Sequence, residues 1–188
     1  IDLKKKYPRR SLYFLIVGRL SREKNILLAI KAFKDIAVKN IDAILVIVGD
    51  GPERKNLELK MKDLGLENNI KLEGAVLEND LGGYYRSADA LLVTSNYEGY
   101  SLVAVEAVGN ALPVIMTDVG VAGEVVKNGV NGIIVPVGNK NLFSMALENF
   151  LTDSNLRARL IEGARNTKMP YKSFEDYRDK LILSFKQC

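Results

Sequence analysis

Six short, almost uninterrupted apolar runs, separated by segments with helical spacing, constrain this chain more than any other feature. Leu12–Val17 reads Leu-Tyr-Phe-Leu-Ile-Val and stops at Gly18; Ala43–Val48 reads Ala-Ile-Leu-Val-Ile-Val and stops at Gly49-Asp50-Gly51-Pro52. Runs at 70–72, 90–93, 114–116 and 132–135 complete the set. A strand that is apolar at every position must be covered on both faces, and alternating strands with helices in a parallel sheet achieves that. The intervening segments fit. Residues 25–39 place Ile26, Ala29, Ile30, Phe33, Ile36 and Ala37 at helical spacing. A second helix is predicted over 53–64, closed by Gly65, with shorter ones over 80–87, 101–109 and 123–127. Beyond Pro136 the chain reads helical to its end, with breaks near Asp153 and at Pro170. The expected fold is α/β: a Rossmann-like, doubly wound, parallel six-stranded sheet in a single domain. In such folds ligands bind at the carboxyl ends of the strands. Those ends are Gly18-Arg19, Gly49-Asp50-Gly51, Gly74-Ala75, 94–99 and 117–120, rich in glycine and polar groups.

Composition removes whole classes of chemistry. The 188 residues include no histidine, so a Ser-His-Asp triad, a His base or a His-ligated metal within this chain is out. The one cysteine, Cys188, excludes a disulfide framework and a Cys-ligated zinc site, and fits a reducing compartment. Lys and Arg number 27 against 23 acidic residues, a net charge of +4. That bias suits an anionic ligand and is too weak to argue for nucleic acid. The longest apolar runs fall far short of the roughly 20 residues a membrane-spanning helix needs. The start, Ile1-Asp2-Leu3-Lys4-Lys5-Lys6, lacks the apolar core of a signal peptide.

Two stretches could carry chemistry. In Gly18-Arg19-Leu20-Ser21-Arg22-Glu23-Lys24-Asn25, two cations, Arg19 and Lys24, flank a helix start after a strand end. That combination suits a phosphate; a charged, solvated loop reads as well from spacing alone. In 98–106, Glu98 follows a strand and Glu106 sits in an otherwise apolar helix. A carboxylate there needs partners. A diol is one, since two hydroxyls can donate to two carboxylate oxygens; a nearby basic side chain or backbone is the other. The backbone N–H groups of residues 100–103 would serve a phosphate at the same point. Asp50 alone is a poor metal ligand set and better satisfies its own turn.

Together these pieces resemble the C-terminal, donor-binding half of a retaining glycosyltransferase of the GT-B type, in the large family 4, or group 1. The matching residues are Val17-Gly18-Arg19 with Lys24, Val48-Gly49-Asp50-Gly51-Pro52, Leu72-Glu73-Gly74 and Tyr84-Tyr85-Arg86-Ser87-Ala88-Asp89. Ser95-Asn96-Tyr97-Glu98-Gly99-Tyr100-Ser101-Leu102 with Glu106-Ala107 follows, then Pro113-Val114-Ile115, Gly120 with Glu124, and 131–136. The likeness runs in order from about residue 11 to residue 150.

The resemblance implies roles. Arg19 and Lys24 would hold the donor's diphosphate and neutralise the leaving group. Glu98 would contact the transferred sugar and Glu106 the ribose hydroxyls. Gly18 and Gly51 would line the cleft. Val76 and Leu77 would frame the base, and Gly99, Tyr100, Ser101 and Leu102 would meet sugar and phosphate. The implied ligand is a nucleoside-diphosphate sugar, a UDP-sugar ahead of GDP-mannose, with no metal and no other cofactor. Hexosyl transfer to a glycan or lipid-linked acceptor, as in polysaccharide biosynthesis, would follow in the cytoplasm, with peripheral contact to a membrane surface. Residues 1–10 would be an interdomain linker remnant and 171–188 a C-terminal helix. The acceptor-binding N-terminal half would be missing, leaving the fragment inactive alone. A non-catalytic nucleotide-sugar-binding module is the alternative. Two departures stand out: Val121 replaces the second Gly of a Gly-Gly pair, and no Gly stands just before Pro113, where Asn110 is expected to adopt the left-handed conformation.

Overall fold

The computed structural model describes residues 1–39 and 42–168. Its elements, in chain order, are α1 (Leu3–Lys6), β1 (Leu12–Val17), α2 (Ile26–Lys39), β2 (Ala43–Val48), α3 (Arg54–Asp63), β3 (Ile70–Gly74), α4 (Glu78–Ser87) and β4 (Ala90–Val93). They continue as α5 (Leu102–Gly109), β5 (Val114–Thr117), β6 (Gly132–Val135), α6 (Lys140–Thr152) and α7 (Ser154–Asn166). The strands form one sheet in the order β3-β2-β1-β4-β5-β6. Every pairing is parallel. The expected doubly wound sheet is therefore present. The chain reverses direction across the sheet between β1 and β4, and that switch point is where doubly wound sheets open a crevice.

Strand alternation assigns the two cores. Phe14, Ile16, Leu45, Ile47, Leu92 and Ile115 face α2, α3, α6 and α7. Tyr13, Leu15, Ile44, Val46, Leu91, Val93, Val114 and Met116 face α1, α4 and α5. On the first side Phe14 meets Phe33 edge-on at 5.8 Å and Phe150 at 5.8 Å. All three rings are fully buried, and each such side chain contributes about 1.5–3 kcal/mol of transfer free energy. Asp153 ends α6 and caps α7 through Asn155 N and Leu156 N, which is the expected break.

Several expectations change. Residues 123–127 are not a helix but turns, with bridges Ala122↔Val126 and Asn128↔Gly132. Val121, Val125 and Val126 imitate a helical stripe, but the Val121 carbonyl collects the N–H groups of Glu124, Val125 and Val126 in one tight loop. Val121 itself is fully buried in the core, not in a ligand cleft. Residues 1–10 do more than link. Leu3 is fully buried and its N–H meets Ser87 Oγ on α4, while Lys6, Tyr7 and Tyr84 converge on Glu73. The expected helix over 171–188 lies outside the described residues. No helix among them is long and apolar enough to cross a membrane.

Asn110 does not take the left-handed conformation; Ala111 does, at φ 57°. The bonds Leu112 N→Ala107 O and Ala111 N→Val108 O make this a Schellman cap with Ala111 at the position glycine favours. Asn110 instead donates its side-chain amide to Glu106 O at 2.9 Å. A left-handed alanine costs about 1–2 kcal/mol, against about 0.5–1 kcal/mol for the extra entropy of an unfolded glycine. Ala111→Gly is therefore expected to stabilise the domain by about 0.5 kcal/mol, read as a higher urea midpoint; a lower one would refute the assignment.

Candidate functional site

The site is built where β1 and β4 end side by side. After β1, Gly18 and Arg19 lead into a single 3-10 turn, Arg22–Lys24, and Asn25 takes a left-handed conformation at φ 44° before α2 begins. After β4 the chain runs through Thr94, Ser95 and Asn96 to Glu98. Four contacts lace the two loops together. Asn96 N donates to Glu23 O at 2.8 Å, Thr94 Oγ1 to Lys24 O at 3.0 Å, and Asn25 Nδ2 to Asn96 Oδ1 at 2.9 Å. The fourth is the ion pair of Lys24 Nζ with Glu98 Oε1 at 3.0 Å. Thr117 Oγ1, at the end of β5, donates to Ser95 O at 2.7 Å and fixes the Glu98 loop from the other side.

The ion pair is sheltered: the Glu98 side chain is 7% exposed and that of Lys24 30%. Burial alone would raise the Glu98 pKa. The hydroxyl of Ser95 and the ammonium of Lys24, both on Oε1, outweigh it and hold the carboxyl below the usual glutamate range. Ser101 is fully buried; its hydroxyl lies close enough to favour the charged carboxylate, yet closes no hydrogen bond of normal geometry. It stands at the N-terminus of α5, where backbone N–H groups lack helical partners. Leu102 N turns back onto Tyr100 O, so the helix start offers fewer N–H groups than spacing suggests. Gly120 closes the floor: a Cβ there would come within 3.0 Å of Ser101 N and 3.5 Å of Glu98 Cβ.

Gly18, Arg19, Lys24 and Glu98 thus line one cleft, together with Ile16, Val17, Thr94 and Ser95. Arg19 is exposed at its mouth and makes no ion pair among the described residues. The remaining expected residues lie around it. Gly51 does not line the cleft; it packs on Leu20, whose backbone oxygen a Cβ would approach to 2.5 Å. Asp50 accepts from Gly51 N at 2.7 Å, satisfying its own turn as expected. Val76 is half-buried against the α4 side and Leu77, just before α4, is 75% exposed. Gly99 and Leu102 are exposed and Tyr100 is half-buried.

Glu106 needs a correction. Its side chain is exposed, so no desolvation penalty demands a ligand. It is held from behind: Tyr85 on α4, itself buried, donates its phenol to Glu106 Oε2 at 2.7 Å. Burial, and then the carboxylate, push the Tyr85 pKa far up, so the phenol remains a donor. Oε1 accepts no side-chain hydrogen bond among the described residues. Ser95, Thr117 and Tyr85 were not legible as site residues, because periodicity says nothing of partners on distant elements.

A cation–carboxylate pair and a buried hydroxyl at a helix start, on the switch point of a parallel sheet, offer an anion a cation and a ligand hydroxyl an acceptor. The chain belongs to the group 1 glycosyl transferases, whose family model matches residues 2–167. An uncharacterised glycosyltransferase of Methanocaldococcus jannaschii is 31% identical over 172 residues, covering 92% of this chain and 44% of that protein. The C-terminal domain of the group 1 glycosyl transferase LpcC from Francisella tularensis superposes with a TM-score of 0.79 at 27% identity, over 86% of both chains. Anabaena HepE, solved in complex with UDP-glucose, gives a TM-score of 0.78 at 25% identity, over 87% of this chain and 45% of that one. The sheet and its flanking helices are thus those of a GT-B C-terminal domain. The chain spans less than half the length of the M. jannaschii relative.

Proposed function

We propose that this domain binds a nucleoside-diphosphate sugar, a UDP-sugar ahead of GDP-mannose, and presents it for retaining, metal-independent hexosyl transfer. The acceptor, a glycan or a lipid-linked sugar, would be held by an N-terminal half of a longer enzyme, and the isolated domain would not turn over. The observation that carries this reading is the gathering of Arg19, Lys24, Glu98 and the buried Ser101 hydroxyl at the β1/β4 switch point. The similar HepE, crystallised with UDP-glucose, supports uridine as the base.

Each role follows from chemistry. As the bond from the sugar's anomeric carbon to phosphate breaks, negative charge grows on the diphosphate. Arg19, Lys24 and the α5 N-terminus would receive it, as fixed charges and dipoles held by the fold rather than by solvent. That positive charge takes the part a metal plays in other transferases. Glu98 would accept hydrogen bonds from hydroxyls of the transferred sugar, and Glu106 Oε1 from the ribose, with Tyr85 fixing its carboxylate. The loop at Val76 and Leu77 precedes α4, the helix that carries Tyr85, so base and ribose contacts share one support.

The test is ligand-observed NMR of the chain against UDP, GDP, ADP and their common sugar conjugates, with EDTA present, repeated on Glu106→Ala. Selective binding of one nucleotide, weakened at least tenfold in the variant, is the expected result. Equal response to all nucleotides, or full affinity in Glu106→Ala, would refute the assignment.

A further inference from the structure

Lys24 and Glu98 both face the ligand in the reading above, yet they also face each other. The ammonium lies 3.0 Å from Oε1, and Ser95 donates to that same oxygen. Glu98 has little freedom to withdraw. Its side chain is 7% exposed, Ser95 anchors it, and the Gly120 loop closes on its Cβ. A diphosphate that reaches Lys24 therefore meets a fixed carboxylate competing for the same cation. Like charges brought together in a sheltered site repel, and Arg19 alone on the exposed rim does not remove that repulsion.

A sugar conjugate and a bare nucleoside diphosphate are not equal before this carboxylate. The conjugate brings hydroxyl donors to it, and hydrogen bonds to an ionised acceptor are the stronger kind. The bare diphosphate brings no donor. Its terminal phosphate, no longer esterified, also ionises a second time with a pKa near 6, so it carries about one more negative charge at neutral pH. Glu98 thus penalises one ligand and is satisfied by the other.

We propose that Glu98 is a built-in competitor of the diphosphate, which lowers the domain's affinity for the spent nucleoside diphosphate and so selects for the sugar conjugate and favours product release. This rests on the donor-site reading above. It assigns Glu98 a function separate from contact with the sugar: its charge works against part of the ligand that Lys24 attracts. An amide in its place would still touch a sugar hydroxyl but would leave Lys24 wholly to the phosphate.

The experiment is calorimetric titration of the chain with two ligand pairs, UDP with UDP-glucose and GDP with GDP-mannose. Four proteins are compared: wild type, Glu98→Gln, Glu98→Ala, and Lys24→Gln as a control for the site. For the pair that binds, both Glu98 variants are expected to hold the bare diphosphate about tenfold tighter than wild type. The sugar conjugate should gain at least fivefold less, and Lys24→Gln should weaken both ligands. Thermal melts show that each variant is folded, and the alanine variant keeps the test alive should the amide find a partner of its own. If Lys24→Gln weakens binding but neither Glu98 variant tightens the diphosphate, the competitor role is overturned while the donor site stands. If wild type binds neither pair, or binds with no dependence on Lys24, the donor site itself falls and this inference with it.

Discussion

Lys24→Met is expected, on the donor-site proposal, to lower kcat/KM of an enzyme that carries this domain about 10²- to 10³-fold, the loss typical of removing one preorganised stabiliser of developing negative charge. The same change has a structural cost. Glu98 keeps Ser95 but loses its counter-ion, and its carboxylate stays sheltered at 7% exposure. Leaving a buried acceptor short of a partner costs about 1–3 kcal/mol, and the lower end applies because the Lys24 side chain is itself 30% exposed. The two losses separate in the double variant. Lys24→Met with Glu98→Gln removes the unpaired charge, so urea stability should return to within about 0.5 kcal/mol of wild type. Transfer should not return, because the sheltered Lys24 cation is still missing and Arg19 alone, on the exposed rim, faces the diphosphate. A Lys24→Met enzyme that keeps transfer within threefold of wild type would show that Lys24 serves only to pair Glu98.

The strands were legible because a parallel sheet covered on both faces writes itself as unbroken apolar runs, and Leu12–Val17 and Ala43–Val48 have no other reading. The ligand edge followed, since carboxyl ends are where the glycines and charges gather. The family resemblance, rather than spacing, put Arg19, Lys24 and Glu98 in one site, and they line one cleft. The link between Lys24 and Glu98 could not be seen, because it joins positions 74 residues apart. The same holds for Tyr85 behind Glu106, 21 residues away on another helix. Glu106 misled for a different reason. Its neighbours Leu102, Val103 and Val105 are apolar, which suggests a helix buried all round, but Leu102 is 44% exposed and the side bearing Glu106 stands open. Apolar sequence fixes how much surface a helix would gain by burial, not what covers it. The left-handed residue after α5 was placed one position early for a related reason. The Schellman register counts from the last helical residue, and element ends are the least legible feature of a sequence.

Gly49→Ala is expected to destabilise the domain by about 3–4 kcal/mol, among the largest effects of a single methyl group. Gly49 stands one residue past β2, at φ 138°, a backbone that side chains rarely allow. A Cβ there would lie 1.9 Å from Gly18 O and 2.8 Å from Gly18 C, both backbone atoms with no rotamer to yield. The surrounding bonds leave no slack. Gly18 N donates to Val48 O at 2.9 Å, and Gly49 N to Gly74 O at 2.7 Å, so the ends of β1, β2 and β3 are tied in sequence. Relief therefore requires β1 and β2 to part at their carboxyl ends, where the loop that carries Arg19 and Lys24 begins. Nucleotide affinity should fall with stability, although Gly49 touches no ligand in the reading above. Gly109→Ala provides the contrast. Beyond its own helix backbone and chain neighbours nothing lies within 4 Å of the added Cβ, and the residue ends α5, so urea unfolding should show no loss and a gain of up to about 1 kcal/mol. A Gly49→Ala protein with wild-type stability would mean that the two strand ends do not approach as closely as Gly18 and Gly49 require. The glycines at these ends would then be ligand-facing by choice, rather than the consequence of bringing two parallel strands close enough to build one cleft.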